Sequence, residues 1–159
     1  FAWSIAKKGN RSLPFEGTIF GEEMYSFDIS DIVSSLAKLK SIRSYLFRQQ
    51  KNLVIKKSVV VEGRDIGTVV FPDANVKFFL SADIHIRTLR RNKQIEENNI
   101  LFDTKKVKDN LVKRDKIDSE RKIAPLVKAK DAYEIDTSKK SQLEVFDIAI
   151  SYIDSNFKF

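Results

Sequence analysis

Arginines recur in three short runs, two of which also contain carboxylates, and their spacing suits phosphate chemistry. The first run is Glu62-Gly63-Arg64-Asp65-Ile66-Gly67-Thr68, which directly follows the β-branched residues Val59–Val61. A guanidinium is a planar donor fork that matches phosphate oxygens, and a carboxylate accepts from a base amino group or balances an arginine. Because ligands of parallel sheets bind beyond the carboxyl ends of strands, Arg64 and Asp65 are candidate binding residues. The alternative interpretation is a tight turn with a local Arg–Asp pair.

The second run places three charged residues on one face of a predicted helix. Arg114, Asp118 and Arg121 stand at offsets of 0, 4 and 7 residues, so two guanidiniums flank a carboxylate. Such a group can clamp a phosphate and a hydroxyl. An exposed salt-bridge face produces the same spacing.

The third run is a cluster of arginines before a charged, hinge-like segment. It contains Arg87, Arg90 and Arg91, of which the first and last are four apart and share a helix face. A basic flap that closes over phosphates is one interpretation, and a solvated helix is the other.

Composition excludes several classes of site. The 159 residues contain no cysteine and one histidine, His85, which argues against disulfides, thiolate chemistry, a Ser-His-Asp triad or a multi-histidine zinc site, and we expect no metal ligands. The net charge of +7 suits nucleotides, nucleic acid or an acidic surface without choosing among them. We find no apolar run of membrane-spanning length and no signal-peptide pattern, so we expect a cytoplasmic protein.

The elements that must position these residues alternate between helices and short strands, which predicts an α/β fold with a parallel sheet. Helices are predicted over 28–50, 83–97, 104–122 and 141–157, and strands over 58–62, 76–81 and 133–136. The last helix carries an apolar stripe at Leu143, Phe146, Ala149 (or Ile150), Ile153 and Phe157.

In this order the runs resemble the bacterial cytidylate kinase family over about residues 26–155. The resemblance rests on Glu62 to Ala74 continuing into Val76–Leu80, on Arg114-Asp-x-x-Asp-Ser-x-Arg121, on Ala124-Pro-Leu126 and on Asp131-Ala-x-x-Ile-Asp-Thr137. It implies a fold like that of the P-loop nucleoside monophosphate kinases, with a parallel sheet flanked by helices. It also implies that the complete enzyme transfers the γ-phosphate of ATP, with Mg²⁺, to CMP or dCMP.

The resemblance further implies roles for individual residues. The residues that match the family's contacts to the base are Ser34, Arg43 and Asp65. Arg64 matches an arginine that contacts the phosphate. The group that contacts the ribose and phosphate is matched by Arg114, Asp118 and Arg121. The family's lid begins at the position of Arg87, Arg90 and Arg91. Ser34 and Arg43 are nine residues apart and face opposite ways on a straight helix, so we expect a bend or break near Lys40.

The same resemblance divides the chain and names its partners. Residues 1–57 correspond to the insert that binds the acceptor nucleotide, and residues 58–159 to the core, with a lid at about 88–113. The implied partners are CMP or dCMP and ATP, with no membrane and no nucleic acid, and the complete enzyme is expected to be a monomer.

One family feature does not occur in these residues. The five glycines form no Gly-x-x-x-x-Gly-Lys-Ser/Thr phosphate loop. We therefore expect the family's first strand and phosphate loop to be absent, and these 159 residues to be inactive alone. Since that strand lies mid-sheet in the family, we also expect the isolated chain to be poorly stable or self-associating.

Two alternatives belong to other classes of protein. One is a catalytically inactive nucleotide-binding remnant or a non-functional gene fragment. The other is a basic nucleic-acid-binding module, which predicts exposed aromatics among basic residues and a steep salt dependence. The aromatic residues here fall mostly at apolar, periodic positions, which disfavours the second alternative.

Overall fold

The computed structural model describes residues 32, 36, 39–54, 59–97 and 103–157. The chain divides into two units. The first comprises Phe1–Gly63 with Arg121–Ile123, and the second comprises Arg64–Glu120 with Ala124–Phe159.

The first unit contains one fully described helix, α1, over Lys40–Leu53. Ile32 and Leu36 are also helical, but Leu39 is extended (φ −77°, ψ 119°) and caps α1. The amide of Leu39 donates to the carbonyl of Leu36, and the Leu39 carbonyl accepts from Arg43, both at 3.0 Å. The break expected near Lys40 is thus confirmed, and the helix predicted over 28–50 is interrupted at Leu39 and continues to Leu53. Apolar residues keep helical spacing across the break, so periodicity alone does not detect it.

The β-branched run in the first unit is not a strand. Residues 59–62 have no regular secondary structure, so the strand predicted over 58–62 is wrong for its described part, and Ser58 lies outside the described residues. Val60 is 86% exposed. A strand needs a neighbour whose backbone satisfies its N–H and C=O groups, and an apolar run does not by itself supply one.

The second unit is built on a short parallel sheet. Strands β1 (Phe78–Ser81) and β2 (Tyr133–Asp136) pair in register from Phe78 opposite Tyr133 to Ser81 opposite Asp136. The predicted parallel pairing is confirmed, although β1 begins at Phe78 rather than at residue 76. Because both strands end at the same edge, the residues that follow them are brought together there.

Three helices complete the second unit. They are α2 (Ile84–Glu97), α3 (Thr104–Glu120) and α4 (Gln142–Asn156). Helices α2 and α3 pack on each other, with Ile95 of α2 and Val107 of α3 buried. Tyr152 of α4 stacks on Tyr133 of β2 with 4.2 Å between ring centroids. Among the described residues, none of the helices has both the length and the apolar character needed to span a bilayer.

Helix α3 ends two residues earlier than predicted. Its last residue is Glu120, after which Ala124 adopts a left-handed conformation (φ 52°) and Leu126 donates its N–H to the carbonyl of Asp118 at 2.7 Å. Pro125 prevents the helix from continuing. Arg121 therefore lies beyond the helix, and its predicted position on the helical face of Arg114 and Asp118 is wrong.

The apolar stripe of α4 is largely exposed. Leu143 is 68% exposed and Phe146 is 46% exposed, and α4 has no fully buried residue. The segment that carries the stripe is helical, as predicted. Within the described residues, however, the stripe is not buried in a core.

Candidate functional site

The loop before β1 is shaped by a π-helical turn over Ile66–Val70. The carbonyl of Asp65 accepts from the amides of Val69 and Val70 at 2.9 and 3.2 Å, so this residue anchors the turn through its backbone. Val70 is buried and fixes the far end of the turn. The turn therefore holds the preceding residue, Arg64, in a defined place relative to the sheet.

The guanidinium of Arg64 lies against two carboxylates of α3. Its Nε is 3.2 Å from Oδ2 of Asp118, and its Nη1 is 3.9 Å from Oδ1 of Asp115. The side chain of Asp118 is 8% exposed and that of Arg64 is 31% exposed. Because Asp115 and Asp118 are three residues apart on a helix, both carboxylates reach the same guanidinium.

Two further arginines join this cluster. Arg87 of α2 donates from Nη2 to Oδ2 of Asp115. Arg114 lies close enough to influence the ionisation of Arg64. The cluster comprises three guanidiniums and two carboxylates, so it carries one excess positive charge. Within the described part of the chain, the buried Nε atoms of Arg87 and Arg114 have no hydrogen-bond partner.

The electrostatics of Arg64 indicate a site for an anion. Burial lowers the pKa of Arg64, Arg114 and Arg87 lower it further, and Asp118 and Asp115 oppose this with a raising effect. An arginine stays protonated despite such a shift, so the shift measures how poorly the surroundings stabilise its charge. An incoming phosphate would supply negative charge and acceptors to a partly desolvated, positively charged group.

The other two arginines of α2 have local partners. Arg90 donates to Oγ1 and to the carbonyl of Thr137, at 2.9 and 2.5 Å, and Thr137 in turn donates to the carbonyl of Ser81 at 3.0 Å. Arg90 thus ties α2 to the carboxyl ends of both strands. Arg91 donates to Oε1 of Gln94 at 2.7 Å.

The structure brings some of the predicted site residues together and not others. Arg64, Arg114, Asp118 and Arg87 form the cluster, and half-buried Asp65 follows Arg64 directly. Arg43 and Arg121 belong to the first unit, and Ser34 lies outside the described residues. Sequence reasoning missed Asp115, because its partners come from a loop and a helix that no periodicity links to it.

The family model for cytidylate kinase matches residues 2–155. The chain belongs to the cytidylate kinase family. The resemblance predicted from the sequence, and with it the kinase-like α/β class, is therefore confirmed.

Named cytidylate kinases are similar to this chain over most of its length. The chain is 41% identical to that of Clostridioides difficile over 86% of its own residues and 63% of the relative. It is 44% identical to that of Clostridium tetani, over 87% and 62%, and 41% identical to that of Thermosipho melanesiensis, over 94% and 69%. The chain thus spans less than two thirds of the length of the two clostridial relatives.

The family implies a nucleotide kinase that uses ATP, and the Mg²⁺ expected from the sequence resemblance can be tested against the described residues. Within them, no three acidic or histidine side chains are grouped to hold a metal ion. The carboxylates of Asp115 and Asp118 are engaged with arginines. The described residues thus contain no preformed metal cage, and roles are assigned below to protein side chains alone.

Proposed function

We propose that this chain forms the acceptor-nucleotide site of an ATP-dependent CMP/dCMP kinase. The complete enzyme would convert CMP or dCMP into CDP or dCDP in the cytoplasm, as a monomer. The observation that carries the proposal is the Arg64 cluster, where three guanidiniums face two carboxylates and two buried Nε atoms have no acceptor among the described residues. Phosphoryl transfer depends mainly on positioning and on neutralising phosphate charge, which such a cluster provides.

The phosphate of the acceptor would lie against Arg64 and Arg114, with Arg121 contributing as the family resemblance implies. Asp118 orients the guanidinium of Arg64 and supplies a carboxylate for the ribose hydroxyls. Asp65, next in the chain, is assigned to the cytosine amino group. Arg43 and Ser34 are assigned to the base on the resemblance alone.

The three arginines at the start of the proposed lid (about residues 88–113) fall into two groups. Arg87 joins the cluster and is assigned to the acceptor phosphate. Arg90 and Arg91 remain proposed contacts to ATP, and reaching ATP requires them to exchange their bonds to Thr137 and Gln94. The 159 residues contain no Gly-x-x-x-x-Gly-Lys-Ser/Thr motif, which would otherwise cradle the donor phosphates. We therefore propose that they bind CMP without transferring phosphate by themselves.

Binding calorimetry tests the acceptor site directly. The 159-residue chain is titrated with CMP, dCMP and cytidine, which shares the base and ribose of CMP but lacks the phosphate. We expect CMP to bind at least tenfold more tightly than cytidine, and Arg64→Met to remove that difference. Arg48→Met, at an exposed position of α1, is the matched control and should leave it unchanged. Equal affinities for CMP and cytidine would contradict the proposal.

A coupled assay with ATP, Mg²⁺ and CMP tests the second part. We expect no turnover above background from the 159-residue chain, with the C. difficile relative as the positive control. Measurable turnover would refute the view that these residues hold only the acceptor.

A further inference from the structure

Asp115 is the residue through which the cluster is connected. It lies on α3 beside Arg114, yet its carboxylate reaches arginines from two other segments, Arg64 in the loop and Arg87 on α2. Its Oδ2 accepts from Nη2 of Arg87. Its Oδ1 is buried, lies 3.9 Å from Nη1 of Arg64, and has no hydrogen-bond partner among the described residues. One oxygen is thus committed to Arg87 and the other faces Arg64 as an ion pair.

We propose that Asp115 is a positioning residue that holds the guanidiniums of Arg64 and Arg87 side by side for the acceptor phosphate. This inference rests on the proposed function. Without a shared carboxylate, two guanidiniums from different segments repel each other and have no reason to converge. Arg64 is additionally repelled by Arg114, so its position depends on the carboxylates of α3.

The spacing of the Asp115–Arg64 pair also suits a ligand that arrives later. At 3.9 Å, Nη1 of Arg64 is attracted to Asp115 without being hydrogen-bonded to it. Arg64 therefore turns this edge of its guanidinium to a phosphate without breaking a hydrogen bond. Asp118, at 3.2 Å from Nε, keeps the opposite edge in place.

A purely electrostatic role and a positioning role for Asp115 predict opposite changes in CMP affinity when its charge is removed. A carboxylate beside a phosphate site repels the phosphate, so removing its charge should tighten CMP binding if charge were its only contribution. If Asp115 positions the arginines, Asp115→Asn should weaken CMP binding instead. Asp115→Glu separates the two cases further, because it keeps the charge but moves it by one methylene.

Titration calorimetry with CMP and cytidine provides the readout. We expect Asp115→Asn to weaken CMP binding by about tenfold or more, the effect of one lost charge-assisted hydrogen bond. Cytidine affinity should stay within about twofold, and Asp115→Glu should also weaken CMP binding. Asp109→Asn, an exposed position on the same helix, is the control for the loss of one negative charge. Tighter CMP binding by Asp115→Asn, or wild-type binding by Asp115→Glu, would overturn the proposal.

A second measurement needs no nucleotide. The Nε–H signals of Arg64 and Arg87, assigned by NMR from the corresponding arginine variants, report whether each guanidinium is held. We expect Asp115→Asn to broaden or shift both, and unchanged signals would refute positioning. If the wild-type chain does not distinguish CMP from cytidine, the proposed function is wrong. The Nε–H signals of Arg64 and Arg87 still show in that case whether Asp115 positions the two guanidiniums. If Asp115→Asn does not fold, Asp115→Glu carries both measurements.

Discussion

At the scale of single residues, the site depends on the positive charge of Arg64, which its surroundings do not fully stabilise. Burial and two neighbouring guanidiniums act against the charge of Arg64, and two carboxylates support it. The balance leaves one excess positive charge, and the buried Nε atoms of Arg87 and Arg114 have no acceptor in the part of the chain that the structure describes. This arrangement favours phosphate binding, because a phosphate supplies both the negative charge and the hydrogen-bond acceptors that the cluster lacks within the described residues.

The pair formed by Arg64 and Asp118 should therefore matter to stability as well as binding. Asp118→Asn removes the carboxylate nearest to Arg64 and leaves that guanidinium beside Arg114. We expect the free energy of unfolding to fall by about 3 kcal/mol, the lower end of the cost of breaking a buried pair, since Arg64 keeps some solvent contact. Urea denaturation measures the change.

A double variant separates the lost pair from a general packing defect. Arg64→Met combined with Asp118→Leu removes both charges and keeps apolar volume, so it should be closer to wild type than Asp118→Asn alone. Strictly additive losses would contradict the view that Asp118 stabilises Arg64.

Asp65 has two separable roles. Its carbonyl anchors the π-helical turn, and its side chain is assigned to the cytosine amino group. Asp65→Ala keeps the carbonyl, so the turn should remain while base discrimination is lost. We expect CMP affinity to fall by roughly 1.5–3 kcal/mol, the value of a charged hydrogen bond, and UMP affinity to fall less because uracil offers a carbonyl there. Equal losses for CMP and UMP, measured by calorimetry, would remove Asp65 as the base reader.

At the scale of elements, α4 shows how a helix start is fixed by local chemistry. Ser141 accepts from the N–H of Glu144 at 3.3 Å, and the Glu144 carboxylate accepts from the N–H of Ser141 at 2.7 Å. This capping box satisfies two amides that have no partner within the helix. Ser141→Ala should destabilise the second unit by about 1 kcal/mol, as measured by chemical denaturation.

The capping box also predicts a pH dependence. Hydrogen bonds from the backbone and side chain of Ser141 lower the pKa of Glu144 below its ordinary value of 4.5. A depressed folded-state pKa means that the stabilisation is full above the unfolded-state value and is lost as pH falls through the folded-state value. Glu144→Gln should therefore lose less stability than wild type between about pH 6 and pH 3. Parallel pH profiles of the two proteins in thermal melts would count against this cap.

The elements also show what could be predicted from sequence. Strand β2 was predicted at its observed bounds and three helices within two residues of their ends, because strong periodicity and local caps determine them. The strand predicted over 58–62 is wrong in its described part, since an apolar run supplies no neighbouring strand, and Val59, Val60 and Val61 are all exposed. Four residues of the cluster, Arg64, Arg87, Arg114 and Asp118, are candidates from the sequence, and their binding of a nucleotide stays a prediction. Asp115 was not a candidate, because its role arises only when α2, α3 and the loop meet.

At the scale of the whole molecule, apolar side chains remain exposed in both units. In the first unit Val60 is 86% exposed, and in the second unit Leu143 and Phe146 are 68% and 46% exposed. Each fully buried aliphatic side chain contributes roughly 1.5–3 kcal/mol, a large fraction of a domain's total stability of about 5–15 kcal/mol. These surfaces therefore favour association with other apolar groups.

We predict that the 159-residue chain self-associates as its concentration rises, and that salt strengthens the association. The net charge of +7 makes copies repel each other at low ionic strength, and screening removes that repulsion while leaving the apolar attraction. Sedimentation equilibrium at two salt concentrations measures both effects.

Leu143→Lys with Phe146→Lys should shift the chain toward monomer, whereas Lys139→Ala, at an exposed position before α4, is the control that should not. Nucleic-acid binding would respond to salt in the opposite sense, because phosphate contacts weaken as ionic strength rises. A chain that stays monomeric at high concentration and high salt, with a sharp reversible transition near about 60 °C, would be behaving as an ordinary stable domain and would refute the prediction.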